Sequence, residues 1–178
     1  VLGGADDAET SKIDLKARLA DRIPEIHFPR VPMVDAVRLM SQMSTIPISF
    51  DLDWMQAMGV GLRDPVTVQL AGATTGEIIE ALVARRGLTC VPMGSELRIT
   101  APAKRRESLQ TQKYEIADLA GKDAAAGSVL VEWVKALVSP ENWREAGGQG
   151  SAEFAGGTLT VTQNDLVQAQ VRDFLDRL

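Results

Sequence analysis

Gly147-Gly148-Gln149-Gly150 is the first stretch whose residue types could do chemistry. As a GxxG loop, its backbone amides would clamp a nucleic-acid backbone. As a GGQ tripeptide, its glutamine would place a hydrolytic water. A phosphate clamp needs cations, however, and Glu145 and Glu153 bracket the loop with only Arg144 in support. Such a clamp also joins two consecutive helices, whereas this loop leads into a strand-like segment. A flexible connector is the expectation. Asp51 and Asp53 are two apart, which in a strand puts both carboxylates on one face, but the further oxygen ligands of a metal site are not signalled. Asp53, just before Trp54, suits a helix cap instead. His27 has no Ser or Cys partner near it in sequence and reads as structural or surface. Cys90 alternates with Leu88 and is expected to be buried and inert. An enzyme would have to draw Asp51, Asp53, His27 or Glu132 into one polar cleft. The expectation is a non-enzyme, with no catalytic, cofactor-binding or metal-binding residue and no small-molecule substrate.

Composition points the same way. The 178 residues are 45% hydrophobic and 24% charged, enough apolar side chain for real cores. Aromatics make up only 4%, so aliphatic residues must fill those cores. The net charge of -5 disfavours a binder of phosphate backbones. One cysteine excludes an internal disulfide or a Cys-based zinc site, and one histidine leaves no His pair for a metal. No apolar run approaches the roughly 20 residues of a membrane span. The opening VLGGADDAET has neither a basic n-region nor an apolar h-region, so a targeting signal is expected to be absent from this chain. A lone thiol suits a reducing cytoplasm or a periplasmic protein without disulfides.

The elements that must position these residues fall into two groups. Residues 1–22 read as a polar lead-in followed by a short helix, opened by a capping box at Ser11-Lys12-Ile13-Asp14. Ile23–Phe28 is strand-like, closed by Pro29. Met33, Val37 and Met40, with Ala36 and Met43, recur at helical spacing after Pro32, and of the five methionines from Met33 to Met58 that spacing reads the first three as core rather than as an adaptable surface. Ile46–Asp51 reads as a strand, with Pro47 suggesting an edge, and Trp54–Met58 as a helical turn. Pro65–Leu70 alternates strictly. Thr74-Thr75-Gly76-Glu77 caps a helix that Gly87 stops. Leu88–Thr100 folds back around Met93-Gly94, pairing Cys90 with Leu97 and Leu88 with Ile99. The stretch 102–112, with Lys104-Arg105-Arg106, reads as a basic, solvated linker. After it, Lys113–Leu119 is a strand, Ser128 can cap a helix carrying Leu130, Trp133, Val134, Leu137 and Val138, and Pro140 ends that helix. A hairpin on Gly156-Gly157 pairs Phe154 with Leu159 and Ala152 with Val161. Asn164 opens a last helix with the stripe Val167, Val171, Phe174 and Leu178. The fold class is α+β, as two small tandem domains, βαβ-βαββ then βαββα.

Two resemblances attach to these segments. Val31-Pro32-Met33-Val34-Asp35-Ala36-Val37, the strand Ile46–Asp51, Val66–Leu70 and Leu97-Arg98-Ile99 together resemble the secretin and TonB short N-terminal (STN) domain, over residues 23–101. Tyr114–Leu119, Gly157–Thr162 and the closing Phe174–Leu178 are similar to the KH-like domain that follows in secretins, over residues 113–178. The loop SPENWREAGGQGS is longer than that family's usual connection. Trp54 and Trp143 lie outside its pattern, and no outer-membrane barrel segment is present.

The resemblance implies a non-enzymatic interaction or assembly module of a secretin-like bacterial envelope protein, in the periplasm or cell envelope. Its partner would be another protein or a copy of itself, with no nucleic acid, no membrane span in this chain and no cofactor. Strand addition at an edge and packing against a helix are the expected modes. Trp54, Trp143, Ile46, Ile48 and Phe50 are the candidate partner contacts, the two tryptophans being expected to be at least partly exposed. The alternative is a KH-like nucleic-acid-binding protein, which would need a contiguous basic face from Lys104, Arg105, Arg106 and Arg144.

Overall fold

The computed structural model describes Asp14–Leu178, so the lead-in and Ser11 lie outside the described residues. The chain divides into two compact units. One runs to Met55 and continues as Val60–Thr100; the other takes Gln56–Gly59 and Ala101–Leu178.

The first unit opens on helix α1 (Leu15–Ala20), whose first turn is capped by the Asp14 carboxylate accepting from Ala17 N at 3.0 Å. Strand β1 (Arg22–Pro32) does not end at Pro29. It bulges instead, with Arg30 at φ +50° and a register shift between Phe28 and Val31. The bulge takes up the missing Pro29 donor, and the strand continues to helix α2 (Met33–Ser44). Strand β2 (Ile48–Phe50) and the short helix α3 (Leu52–Ala57) follow. Strand β3 (Pro65–Thr74) pairs antiparallel with β1, and its alternation buries Val66 and Val68 as the sequence predicts. Helix α4 (Thr75–Ala84) packs on α2, burying Ile78, Ile79, Leu82 and Val83 against the Met33, Ala36, Val37 and Met40 stripe. Strands β4 (Thr89–Met93) and β5 (Glu96–Thr100) make a hairpin, and β2 joins β5 in parallel, giving the order β2-β5-β4.

This hairpin's register differs by two residues from the expected one. Cys90 pairs with Ile99 and Pro92 with Leu97, because the turn falls on Gly94-Ser95 with Gly94 at φ +66°. A left-handed residue at the first turn position favours glycine, and a two-residue slip leaves every side chain on its original face.

The capping box of α4 forms as read. Thr74 Oγ1 accepts from Glu77 N at 3.2 Å, and the Glu77 carboxylate accepts from Thr74 N at 2.7 Å. The hydrogen bond from the Thr74 N–H, and then that from its hydroxyl, Oγ1 donating to the carboxylate at 3.1 Å, hold the Glu77 carboxyl below its ordinary range. Thr74→Ala is expected to cost about 1 kcal/mol at neutral pH, read from the urea midpoint. A carboxyl lowered by folding contributes above its unfolded value and loses that contribution as pH falls through its folded value. The gap between wild type and Thr74→Ala should therefore narrow in acid.

The second unit begins with the short helix α5 (Ala103–Glu107) and strand β6 (Gln110–Glu115), so the stretch 102–112 carries regular structure. Helix α6 (Ala117–Ala120) leads to α7 (Ala124–Leu137). Asp123, not Ser128, caps α7 by accepting from Ala125 N at 3.0 Å. Ser128 instead donates to Ala124 O from within the helix. The run Ala124-Ala125-Ala126 has high helix propensity and carries the helix start back to the nearest upstream cap. Two 3-10 turns (Pro140–Asn142 and Arg144–Ala146) precede strands β7 (Ser151–Ala155) and β8 (Thr158–Gln163), and helix α8 (Asp165–Leu175) closes the unit. The sheet is antiparallel in the order β6-β8-β7, and the Phe154–Leu159 and Ala152–Val161 pairs form as read. Leu130, Val134, Trp143, Leu159, Val161 and Val167 lie in its core. Gly127, in the first turn of α7, is required by close approach to β7: a Cβ there would fall 1.9 Å from the Phe154 ring. The fold class is α+β.

Candidate functional site

Of the polar residues that could have formed a reactive centre, Asp51 is engaged by its neighbours, while Asp53, His27 and Glu132 lie exposed on separate elements. Asp51 Oδ1 accepts from Trp54 N at 3.4 Å and its Oδ2 accepts from Thr100 Oγ1 at 2.7 Å. Asp51, and not Asp53, therefore caps α3 and ties it to the end of β5. Asp53 is exposed, and His27 is exposed on β1 opposite Gln69. Among the described residues, no group of three or more His, Cys, Asp or Glu is placed to hold a metal. Cys90 is half-buried rather than fully buried. Burial, and then the neighbouring Glu80 carboxylate, push its thiol above the ordinary range, so the nucleophilic thiolate is disfavoured. Glu80 accepts from Thr89 Oγ1 and from Cys90 N, both at 3.0 Å, which pins α4 to β4.

The glycine loop is closed by its own backbone hydrogen bonds. Gly147 N donates to Arg144 O at 3.1 Å, Gly148 N to Trp143 O at 2.9 Å and Gly150 N to Asn142 O at 3.0 Å. Three of the four amides that a phosphate clamp would offer are thus already used inside the loop. Trp143 turns inward, 1% exposed, and its Nε1 donates to Val138 O at 2.8 Å. The basic trio is also partly neutralised, since Arg105 Nε meets Asp165 Oδ2 at 2.6 Å.

Burial corrects part of the contact set. Trp54 is 6% exposed and Trp143 is 1% exposed, so neither is the partly exposed aromatic expected. Both bury large apolar surfaces, which outweighs keeping an indole edge in water. Ile46 is fully buried beside the end of α2, where Ser41 Oγ donates to its carbonyl at 2.6 Å. Ile48 and Phe50 are half-buried on β2, opposite Leu97 and Ile99. β2 is an outer strand of its sheet among the described residues. Leu97 N donates to Pro47 O and Asp51 N to Ile99 O, each at 2.9 Å. In a ladder of that parity, the N–H and C=O groups of Ile48 and Phe50 point away from β5. This is a short pairing edge of the kind that takes an added strand.

The structure exposes Met43, read as core on its helical spacing, and part of the apolar set of α7. Trp133 is 51% exposed and Leu137 is 68% exposed, and with Val129 they form an uncovered stripe along α7. Residues 129, 133 and 137 follow one another at four-residue steps, whereas the buried set is Leu130, Val134 and Val138. Two apolar stripes side by side make a band wider than one sheet face can cover, and that excess width was the legible signal. Leu178, expected at the end of the α8 stripe, falls beyond the helix and is exposed. It lines a cavity of about 400 Å³ together with Leu119, Val129, Leu130 and Trp133.

No protein-family model and no curated protein sequence matches the chain. Among solved structures, it is similar to the N-terminal domain of the secretin XcpQ from Pseudomonas aeruginosa, at 14% identity and a TM-score of 0.35. That alignment covers 88% of this chain and 64% of the XcpQ chain. It is also similar to the GspC-GspD complex of the type II secretion system of enterotoxigenic Escherichia coli, at 13% identity and a TM-score of 0.32, covering 88% and 98% of the two chains. A third similar structure is the type IV competence pilus secretin PilQ of V. cholerae, at 14% identity and a TM-score of 0.33, covering 86% and 37%. Superpositions this loose carry no functional argument. Among the described residues, no helix is long and apolar enough to cross a membrane.

Proposed function

We propose that this chain is a non-enzymatic protein-protein interaction or assembly module of a secretin-like bacterial envelope protein, working in the periplasm or cell envelope. An STN-like domain (23–101) would be followed by a basic linker (102–112) and a KH-like domain (113–178). The carrying observation is the outer strand β2, whose Ile48 and Phe50 backbone groups face outward while their side chains rest against the Leu97 and Ile99 face. A partner strand laid along it would gain main-chain hydrogen bonds and meet two half-buried apolar side chains. The brevity of β2 and the proline before it limit indiscriminate pairing.

The test pairs two measurements. Light scattering across concentration decides between a self-assembling module, whose mass rises to a defined oligomer, and a monomer that docks on a different protein. For a monomer, capture from envelope extract is compared between the wild-type chain and Ile48→Pro, which deletes an outward-facing N–H. Loss of the captured partner, with an unchanged melting temperature, supports the reading. A monomer that captures nothing, or captures equally with the proline, sinks it.

A further inference from the structure

Strand β6 is a second outer strand, in the second unit, and a pairing role for it rests on the reading of the chain as an interaction or assembly module. Among the described residues it pairs only with β8, in the order β6-β8-β7. Ile116 N donates to Gly157 O at 2.9 Å, in register with the pairs from Gln110–Gln163 to Glu115–Thr158. That bond fixes the parity of the ladder. Gln110, Gln112 and Tyr114 exchange their main-chain bonds with β8, while the N–H and C=O groups of Thr111, Lys113 and Glu115 point away from it. The side chains of these last three are exposed. Gln112 and Tyr114 are half-buried on the other face, where the Tyr114 hydroxyl donates to Gln168 Oε1 of α8 at 2.7 Å. Lys113 has no ion-pair partner among the described residues.

A lysine in the middle of an edge strand ordinarily deters pairing with other strands. Here the glutamate two residues on offers it a partner in one register. In a two-fold antiparallel pair of β6 strands, the outward-facing residues must lie opposite one another to hydrogen-bond, which leaves few alignments. Centred on Lys113, the pair sets that lysine against Lys113 of the second copy, a like-charge contact that destabilises. Centred on Gln112, it sets Lys113 against Thr111 and gains no ion pair. Centred on Tyr114, it sets Lys113 against Glu115 of the second copy and Glu115 against that copy's Lys113, with the two Tyr114 rings adjacent across the axis. The Glu115 carboxylate accepts from Thr158 Oγ1 at 3.1 Å and keeps acceptor sites to spare. The net charge of -5 opposes the approach of two copies, but charges more than roughly 8 Å apart are largely screened at physiological salt, and this pair is in contact. We propose that β6 pairs antiparallel with β6 of a second copy, about a two-fold axis at Tyr114, which joins their two sheets into one. Helix α6 begins at Ala117, so the paired stretch is short and the dimer reversible.

The test is sedimentation equilibrium of the full chain across concentration, where a reversible dimer is expected. Lys113→Glu and Glu115→Lys each set like charges opposite one another and should weaken the dimer about tenfold or more. An equimolar mixture of the two variants should regain it, because one strand then carries carboxylates wherever the other carries ammonium groups. The chain with both substitutions should regain it as well. Both side chains are exposed, so melting temperatures should stay near wild type. A strict monomer overturns the proposal, as does a dimer that both single variants leave intact or a mixture of the two that stays monomeric. Ile48→Pro should leave this dimer unchanged. A dimer lost with Ile48→Pro and kept by Lys113→Glu would overturn the proposal and assign self-association to β2. A monomer that still captures a partner through β2 overturns the pairing of β6 while the proposed function stands, which separates the two failures.

Discussion

Trp143→Ala should cost about 3–5 kcal/mol of stability, the range for deleting a fully buried large aromatic side chain. Trp143 is among the largest fully buried side chains and belongs to the core cluster of the second unit. Its loss would open a cavity between the loop and that core, and would leave the Val138 carbonyl without the indole donor it now meets at 2.8 Å. Since whole domains are stable by only about 5–15 kcal/mol, the variant should show a large fall in urea midpoint. Trp143→Phe, which keeps most of the volume but not the N–H, should fall between the two. A Trp143→Ala midpoint close to wild type would mean that the indole is not seated as described.

Gly148→Ala is expected to be strongly destabilising, at about 2–4 kcal/mol. A Cβ at this position would lie 2.2 Å from Asn142 C, 2.3 Å from its O and 2.7 Å from its Cα. These are backbone atoms and cannot swing aside as a side chain can, so the loop itself must move. The Asn142 carbonyl accepts from Gly150 N at 3.0 Å and from Gln163 Nε2 at 2.7 Å, and moving it weakens both bonds. Gly147→Ala is the instructive comparison. It meets open space but must hold φ at +91°, so its cost is backbone strain alone, about 1–3 kcal/mol. Chemical denaturation of both variants checks the ranking. If Gly148→Ala matched wild type, the loop would be the loose connector that its composition suggests.

These losses act through the fold, whereas the substitution on β2 acts at the surface. That contrast gives interaction experiments their controls. A Trp143 variant that loses binding reports unfolding of the second unit, while Ile48→Pro at wild-type stability reports contact.

The elements most legible in the sequence are those governed by local chemistry. Thr74 and Glu77 satisfy each other within one helical turn, Pro65–Leu70 alternates with the pleat, and Gly156-Gly157 sets the Phe154–Leu159 register through a two-residue turn. Competing local solutions were less legible. Asp51 and Asp53 both suit a cap, as do Asp123 and Ser128, and the one that serves depends on where the preceding chain enters the helix. The Leu88–Thr100 hairpin admits two registers with identical faces, and only the left-handed conformation of Gly94 distinguishes them.

By itself, then, the sequence determined the α+β class, the order of the main strands and longer helices and the inward face of most strands, because periodicity, caps and turns are properties of neighbours along the chain. The short helices α5 and α6, on stretches read as a linker and a strand, were not legible. Only the tertiary structure decided that β2 joins β5 in parallel at a sheet edge, that the glycine loop closes around Trp143, and that Trp133 is the uncovered tryptophan. An apolar side chain carries no record of what will cover it; that depends on which distant elements approach and how wide a band they can bury.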